Sequence, residues 1–145
     1  MLTDDGLTMF ESGAMLDYIL DRYGEGRMRP PPGTAARALH QQWSWFSEAT
    51  LLRPLGVNGF LRRRAEDISA VALDKTRDCI AVVDAALAGR DFLLGDEFSG
   101  ADVMMGYSLA LLDSLQMVEA DRYPMAAAYL RRLKARDAFV RATGL

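Results

Sequence analysis

Asp96-Glu97-Phe98-Ser99-Gly100-Ala101-Asp102-Val103 carries the most complete helix-start signal in this 145-residue chain. The Ser99 hydroxyl is placed to accept a hydrogen bond from the amide of Asp102, while the Asp102 carboxylate reaches back to the amide of Ser99. Together they close a capping box in which Asp replaces the usual Glu. Phe98 and Val103 stand at the two positions of a hydrophobic staple, so the direction of entry into the helix is specified too. Ser99 and Asp102 are therefore assigned as a structural helix cap, and truncating either to Ala should cost roughly 1 kcal/mol from the cap alone.

Working outward, the pattern is helical almost everywhere. The capped helix is expected to run from Gly100 to about Leu115. Downstream, Pro124 opens another helix at the first-turn position where a missing N–H is tolerated, and a short last helix fits Asp137 to Ala142. Upstream, Glu66 to about Ala88 places Ile68, Val71, Ala72, Cys79, Val82, Val83 and Leu87 on or near one face, with Gly89 ending it. Before that, Thr34 is a suitable N-cap for a helix whose apolar stripe includes Leu39, Trp43, Phe46 and Leu51. That helix is expected to end near Arg53-Pro54, because the residue before a proline is steered out of helical geometry.

The segment from Gly24 to Gly33, with Pro30-Pro31-Pro32 in it, offers little to bury and reads as a linker stiffened by its polyproline part. The first residues differ again. Thr3-Asp4-Asp5-Gly6 has the Asp-Gly chemistry of a tight hairpin turn, and Leu7-Thr8-Met9-Phe10 can be the outgoing strand. The incoming strand would have only Met1 and Leu2 to draw on, so the opening reads as cut. Met15, Leu16, Ile19, Leu20 and Tyr23 then recur at helical spacing, with Gly24 as the stop. β-like alternation is confined to the first ten residues, and the fold class is mainly α: a helical bundle with a small hairpin and one helix ahead of it.

Composition excludes several function classes. Half the residues are hydrophobic and the net charge is −3, which argues against a nucleic-acid binder working through its whole surface. Residues 1–25 carry six acids against Arg22, and residues 121–145 six bases against Asp121 and Asp137, an asymmetry that reads as solvated helix faces. Arg62-Arg63-Arg64, with no interleaved aromatic, reads as a solvated bend. A single Cys79 permits no intramolecular disulfide, and one cysteine with one histidine leaves no zinc site, so no metal is expected. No apolar run approaches the ~18 residues of a membrane span, and there is no signal-peptide pattern. A soluble, cytoplasmic protein is expected, with no membrane partner. His40 has no Ser or Cys at a suggestive spacing, and Cys79 lies on an apolar stripe; both read as structural.

With Leu87-Ala88-Gly89-Arg90-Asp91-Phe92-Leu93-Leu94-Gly95 before it, the capped segment resembles the loop and sixth helix of the cytosolic glutathione transferase family. Leu7-Thr8-Met9-Phe10-Glu11-Ser12-Gly13-Ala14-Met15 resembles that family's Glu-Ser motif at the end of its thioredoxin-like subdomain. Tyr123-Pro124 and the run from Tyr129 to Phe139 resemble its C-terminal helices. The resemblance spans nearly the whole chain in the family's order. It implies three parts: residues 1–24 as the end of a thioredoxin-like glutathione-binding domain, 25–33 as linker, and 34–145 as the all-α transferase C-terminal domain. On this reading the chain is an N-terminally truncated form. The cis-proline and the thiol-activating Tyr, Ser or Cys of the family would lie ahead of Met1.

Glu11 and Ser12 match the family's glutathione-binding pair. Ser12 at a helix N-terminus offers a hydroxyl and free amides to the γ-glutamyl carboxylate, and Glu11 can meet the ammonium. Read without the family, the same pair is a helix cap with a favourable first-turn charge. Trp43, Trp45 and Phe46 span more than one face, so at least one should leave the core, as an electrophile-pocket wall or a dimer contact. No catalytic residue is assigned, because Tyr18, Tyr23, Tyr107, Tyr123 and Tyr129 all lie away from the family's thiol-activating position. The implied function is transformation of small hydrophobic electrophiles with glutathione as co-substrate, carried out by a homodimer. Binding is expected to be weak and turnover absent in the chain as it stands. The rival reading is a noncatalytic transferase-like interaction module.

Overall fold

A computed structural model describes residues 1–55 and 67–143. Glu66 and Arg62-Arg63-Arg64, expected to form a helix start and a bend, lie outside the described residues. Strands β1 (Leu2–Asp4) and β2 (Leu7–Met9) form an antiparallel hairpin with Leu2 opposite Met9 and Asp4 opposite Leu7. The incoming strand thus takes Thr3 and Asp4, which the sequence had assigned to the turn. The turn is Asp5-Gly6 alone, with φ of 47° and 81°, the doubly left-handed geometry that suits the twist of a two-residue hairpin.

Helix α1 (Ser12–Tyr23) starts a turn earlier than its apolar spacing indicated. Gly24 follows it but stays right-handed; the left-handed step falls on Glu25 and Gly26. Helix α2 (Ala35–Trp45) is capped by Thr34, whose hydroxyl accepts from Arg37 N at 3.1 Å. It does not stop at Arg53. It widens into a π-helical stretch, Phe46–Leu52, and helical geometry continues through residues 53–55. Pro54 has no N–H to give and its ring crowds the preceding turn, so a wider register just before it lets the axis continue. Ser108 in the neighbouring helix donates to Ser47 O at 3.1 Å, satisfying a carbonyl within the π stretch.

Helices α3 (Asp67–Ala86), α4 (Gly100–Ser114), α5 (Pro124–Lys134) and α6 (Asp137–Thr143) complete the described elements. α4 lies at the centre, packed on α1, α2, the π stretch and α5, while α3 packs on α5 and the π stretch. Its sequence is apolar nearly all round, as a central helix requires, and Ala101, Met105, Leu109 and Leu112 are fully buried. Each such leucine contributes about 1.5–3 kcal/mol of burial.

Two expected stripes shift. On α3 and at the turn residue after it, the buried positions among the described side chains are Ala72, Thr76, Ile80, Val83 and Leu87, while Val71 and Val82 are exposed; the side chain of Ile68 lies outside the described ones. The stripe follows four- and three-residue steps from Ala72, which leaves those valines on its flank. On α2, Leu39 is exposed and the neighbouring His40 is buried in its place.

Candidate functional site

α1 is held through its second half by the chain on either side of it. At the hairpin, Asp4 accepts from Tyr23 Oη at 2.6 Å and Tyr18 Oη at 2.9 Å, and pairs with Arg22 at 3.2 Å. The tyrosine bonds, aided by Arg22, hold the Asp4 carboxyl below its usual range, and the bond to Asp4 raises Tyr18. At the linker, Arg29 turns inward. Its side chain pairs with Asp17 at 2.7 Å and with Asp21, and donates to Asp17 O at 2.8 Å. Arg37 donates to Pro30 O and reaches Asp21 at 3.4 Å, so α2 joins the same cluster. Against the expectation of a linker with little to bury, Arg29 is only 9% exposed. Its sequence context, among prolines and glycines, carries no sign of this.

The clamped helix presents its N-terminus beside a cleft of about 370 Å³. Glu11, Gly13 and Asp17 form one wall, Ser44, Trp45 and Glu48 the other, and Met104 of α4 contributes from between them. Glu11 occupies the N-cap position with φ 75° and ψ 110°, a left-handed backbone that a non-glycine residue adopts at a cost of order 1–3 kcal/mol. Its side chain makes no capping bond. Ser12 is the first helical residue and is exposed, and its hydroxyl has no hydrogen bond among the described residues. The pair named from sequence therefore sits together at the helix N-terminus, with Glu11 the member that lines the cleft.

The three aromatics separate. Trp43 is buried and stacks edge-on with Phe46 at 5.5 Å, and Phe46 packs on the core. Trp45, 72% exposed, lines the cleft. Glu48 and Met104 were not singled out from sequence; both meet the cleft only through the packing of α2 and α4, which no local pattern announces.

Four of the five tyrosine hydroxyls are engaged structurally. Besides Tyr18 and Tyr23 on Asp4, Tyr123 donates to Arg77 O at 3.1 Å and Tyr129 to Asp102 at 2.9 Å. Burial, reinforced by Asp102, pushes the Tyr129 phenol well above its usual range. Asp102 also accepts from Ser99 N and Ser99 Oγ, both at 2.8 Å, and from Leu93 N at 3.0 Å. The capping box is closed and buried, and it ties the 90s loop and α5 to the start of α4. Tyr107 is exposed. Among the described residues no cluster of three His, Cys, Asp or Glu could hold a metal ion, and no helix is long and apolar enough to cross a membrane.

The family model for the glutathione S-transferase C-terminal domain matches residues 35–132. Glutathione S-transferase D7 of Drosophila melanogaster is 28% identical over 134 residues, covering 90% of this chain and 58% of its own length. Elongation factor 1-gamma of Danio rerio is 29% identical over 129 residues, covering 83% of this chain and 27% of its own. Among solved structures, a sphingomonad glutathione S-transferase complexed with glutathione superposes with a TM-score of 0.84 at 26% identity, over 100% of this chain and 73% of that one. The chain thus spans just over half the length of the curated transferases it matches. Because the C-terminal domain model covers well over half of its residues, the chain belongs to the glutathione S-transferase family.

Proposed function

We propose that this protein binds glutathione at the N-terminus of α1 and belongs to the enzymes that join that tripeptide to small hydrophobic electrophiles. The observation that carries the reading is Glu11: a strained, non-glycine left-handed residue facing a cleft, at a helix N-terminus beside a Ser12 hydroxyl that has no hydrogen bond among the described residues. Backbone strain of this kind persists only where the surrounding structure maintains it, and it concentrates at binding sites. In this reading Ser12 and the first amides of α1 take the γ-glutamyl carboxylate, and the Glu11 carboxylate takes the ammonium. Trp45 offers an apolar surface across the cleft for the electrophile. Trp43 and Phe46 support that wall from the core rather than meeting substrate. The glutathione-bound state of the sphingomonad relative supports the assignment.

The reaction is attack of a glutathione thiolate on the electrophile, forming a carbon–sulfur bond and releasing the leaving group. Lowering the thiol's pKa needs a donor aimed at sulfur, and we assign no residue of this chain to it. The 145 residues alone are therefore expected to bind weakly and not to turn over a model electrophile. We further propose a homodimer in the cytoplasm, with no nucleic-acid partner, and the division 1–24, 25–33 and 34–145 as the domain organisation.

Calorimetric titration with glutathione tests the site. Glu11→Gln and Ser12→Ala should each weaken binding by about 10–100-fold, the loss of one charge-assisted contact. Equal affinity in wild type and both variants would overturn the assignment.

A further inference from the structure

The seam between residues 2–29 and the bundle has a polar residue at its centre. His40 on α2 is 0% exposed, and neither ring nitrogen has a hydrogen-bond partner among the described residues. Leu20 of α1 and Gly100 at the start of α4 close over it. A Cβ added to Gly100 would lie 2.7 Å from Leu20 Cδ1 and 2.9 Å from His40 Nε2, so the contact has no spare room. The linker is fastened at the same point, where Gly100 N donates to Met28 O at 2.8 Å.

We propose that His40 is an acid-sensitive latch: neutral, it lets residues 2–29 lie flush on the bundle, and protonated, it drives that segment off its seat. An imidazolium has two N–H donors to satisfy, and a buried charge without a partner is far costlier than a solvated one. The charged groups facing the ring are Asp17 on α1, Arg29 in the linker, Arg37 on α2 and Asp102 on α4. Neither carboxylate is available. Asp17 is engaged by Arg29 at 2.7 Å, and Asp102 already accepts from Ser99 N, Ser99 Oγ, Leu93 N and Tyr129 Oη. The two arginines repel the new charge. Opening the seam hydrates the ring at the expense of the Leu20 and Gly100 contacts.

Burial is the main cause that lowers the His40 pKa, with Arg29 and Arg37 adding to it against Asp17 and Asp102. The opened chain has an ordinary imidazole, titrating at about 6.5. The closed seam, with its depressed value, is therefore fully stable above about 6.5 and loses stability as pH falls below it.

His40 is the sole histidine, so its ring resonances are read without ambiguity. Between pH 7.5 and 5.5, amide exchange across Ser12–Tyr23, corrected for intrinsic rates, should rise about tenfold relative to α4. The ring should titrate below its ordinary value, and the rise should vanish in His40→Leu. The latch is overturned if α1 protection is flat over this range, or if His40→Leu shows the same rise. Should His40→Leu not fold, His40→Gln serves as the nontitrating variant, and a wild-type ring titrating at its ordinary value with α1 still protected overturns the latch without any variant.

Discussion

Asp102 has the most partners of any side chain described, and its role is mechanical. One carboxylate receives four donors from the capping residue, the 90s loop and α5, so removing it leaves several buried N–H and O–H groups unsatisfied at once. Asp102→Ala should lose roughly 3–5 kcal/mol of stability, well beyond the cap alone, whereas Tyr129→Phe should lose about 1–2 kcal/mol. Urea unfolding midpoints measure both; similar small losses would show that the network is not shared. The cap was legible because a capping box is a four-residue code. The third and fourth donors were not, since Leu93 and Tyr129 reach Asp102 only when the loop and α5 fold over it. Asp4 makes a second prediction. Its depressed folded value means that its contribution is present above the ordinary carboxylate pKa and is lost as pH falls through the lower folded one. Amide exchange in residues 2–9 should therefore rise below about pH 4, and Tyr23→Phe, which brings the folded value back toward the ordinary one, should shrink that rise.

Among elements, the hairpin and α1 act as one unit on the bundle, and their geometry rests on a few backbone positions. Gly6 has open space around its missing Cβ but a φ of 81°, so Gly6→Ala should cost about 1 kcal/mol through conformation alone. Gly106 is the opposite case. An added Cβ would meet the Leu133 Cδ1 methyl at 2.8 Å, so Gly106→Ala should cost about 1 kcal/mol by turning that buried side chain out of its place between α4 and α5. Thermal denaturation of the two variants separates the causes: only the second should disturb the bundle. Helix positions were readable because caps and apolar spacing are local. What escaped was the π stretch, an accommodation of Pro54 that a helix-ending rule overlooks, and two tertiary features, the inward turn of Arg29 and the burial of His40 in place of Leu39, which depend on neighbouring helices.

For the molecule as a whole, family membership and the helical bundle were legible because three motifs fall in one order along the chain. The cleft was only half legible. Glu11 and Ser12 follow a local motif, but the wall of Trp45, Glu48 and Met104 comes from two other helices. Phe10, Trp45 and Tyr107, each about two-thirds exposed or more, leave apolar surface that favours self-association, so sedimentation at micromolar concentration should show a dimer; a monodisperse monomer would count against it. The proposed activity depends on glutathione being received at the start of α1. The most direct measurement is a backbone and indole NMR titration of the chain with glutathione. Shifts should concentrate at Glu11–Ala14 and the Trp45 indole and be abolished in Glu11→Gln; absence of shifts there at millimolar ligand, or shifts that persist unchanged in the variant, would contradict binding at this site.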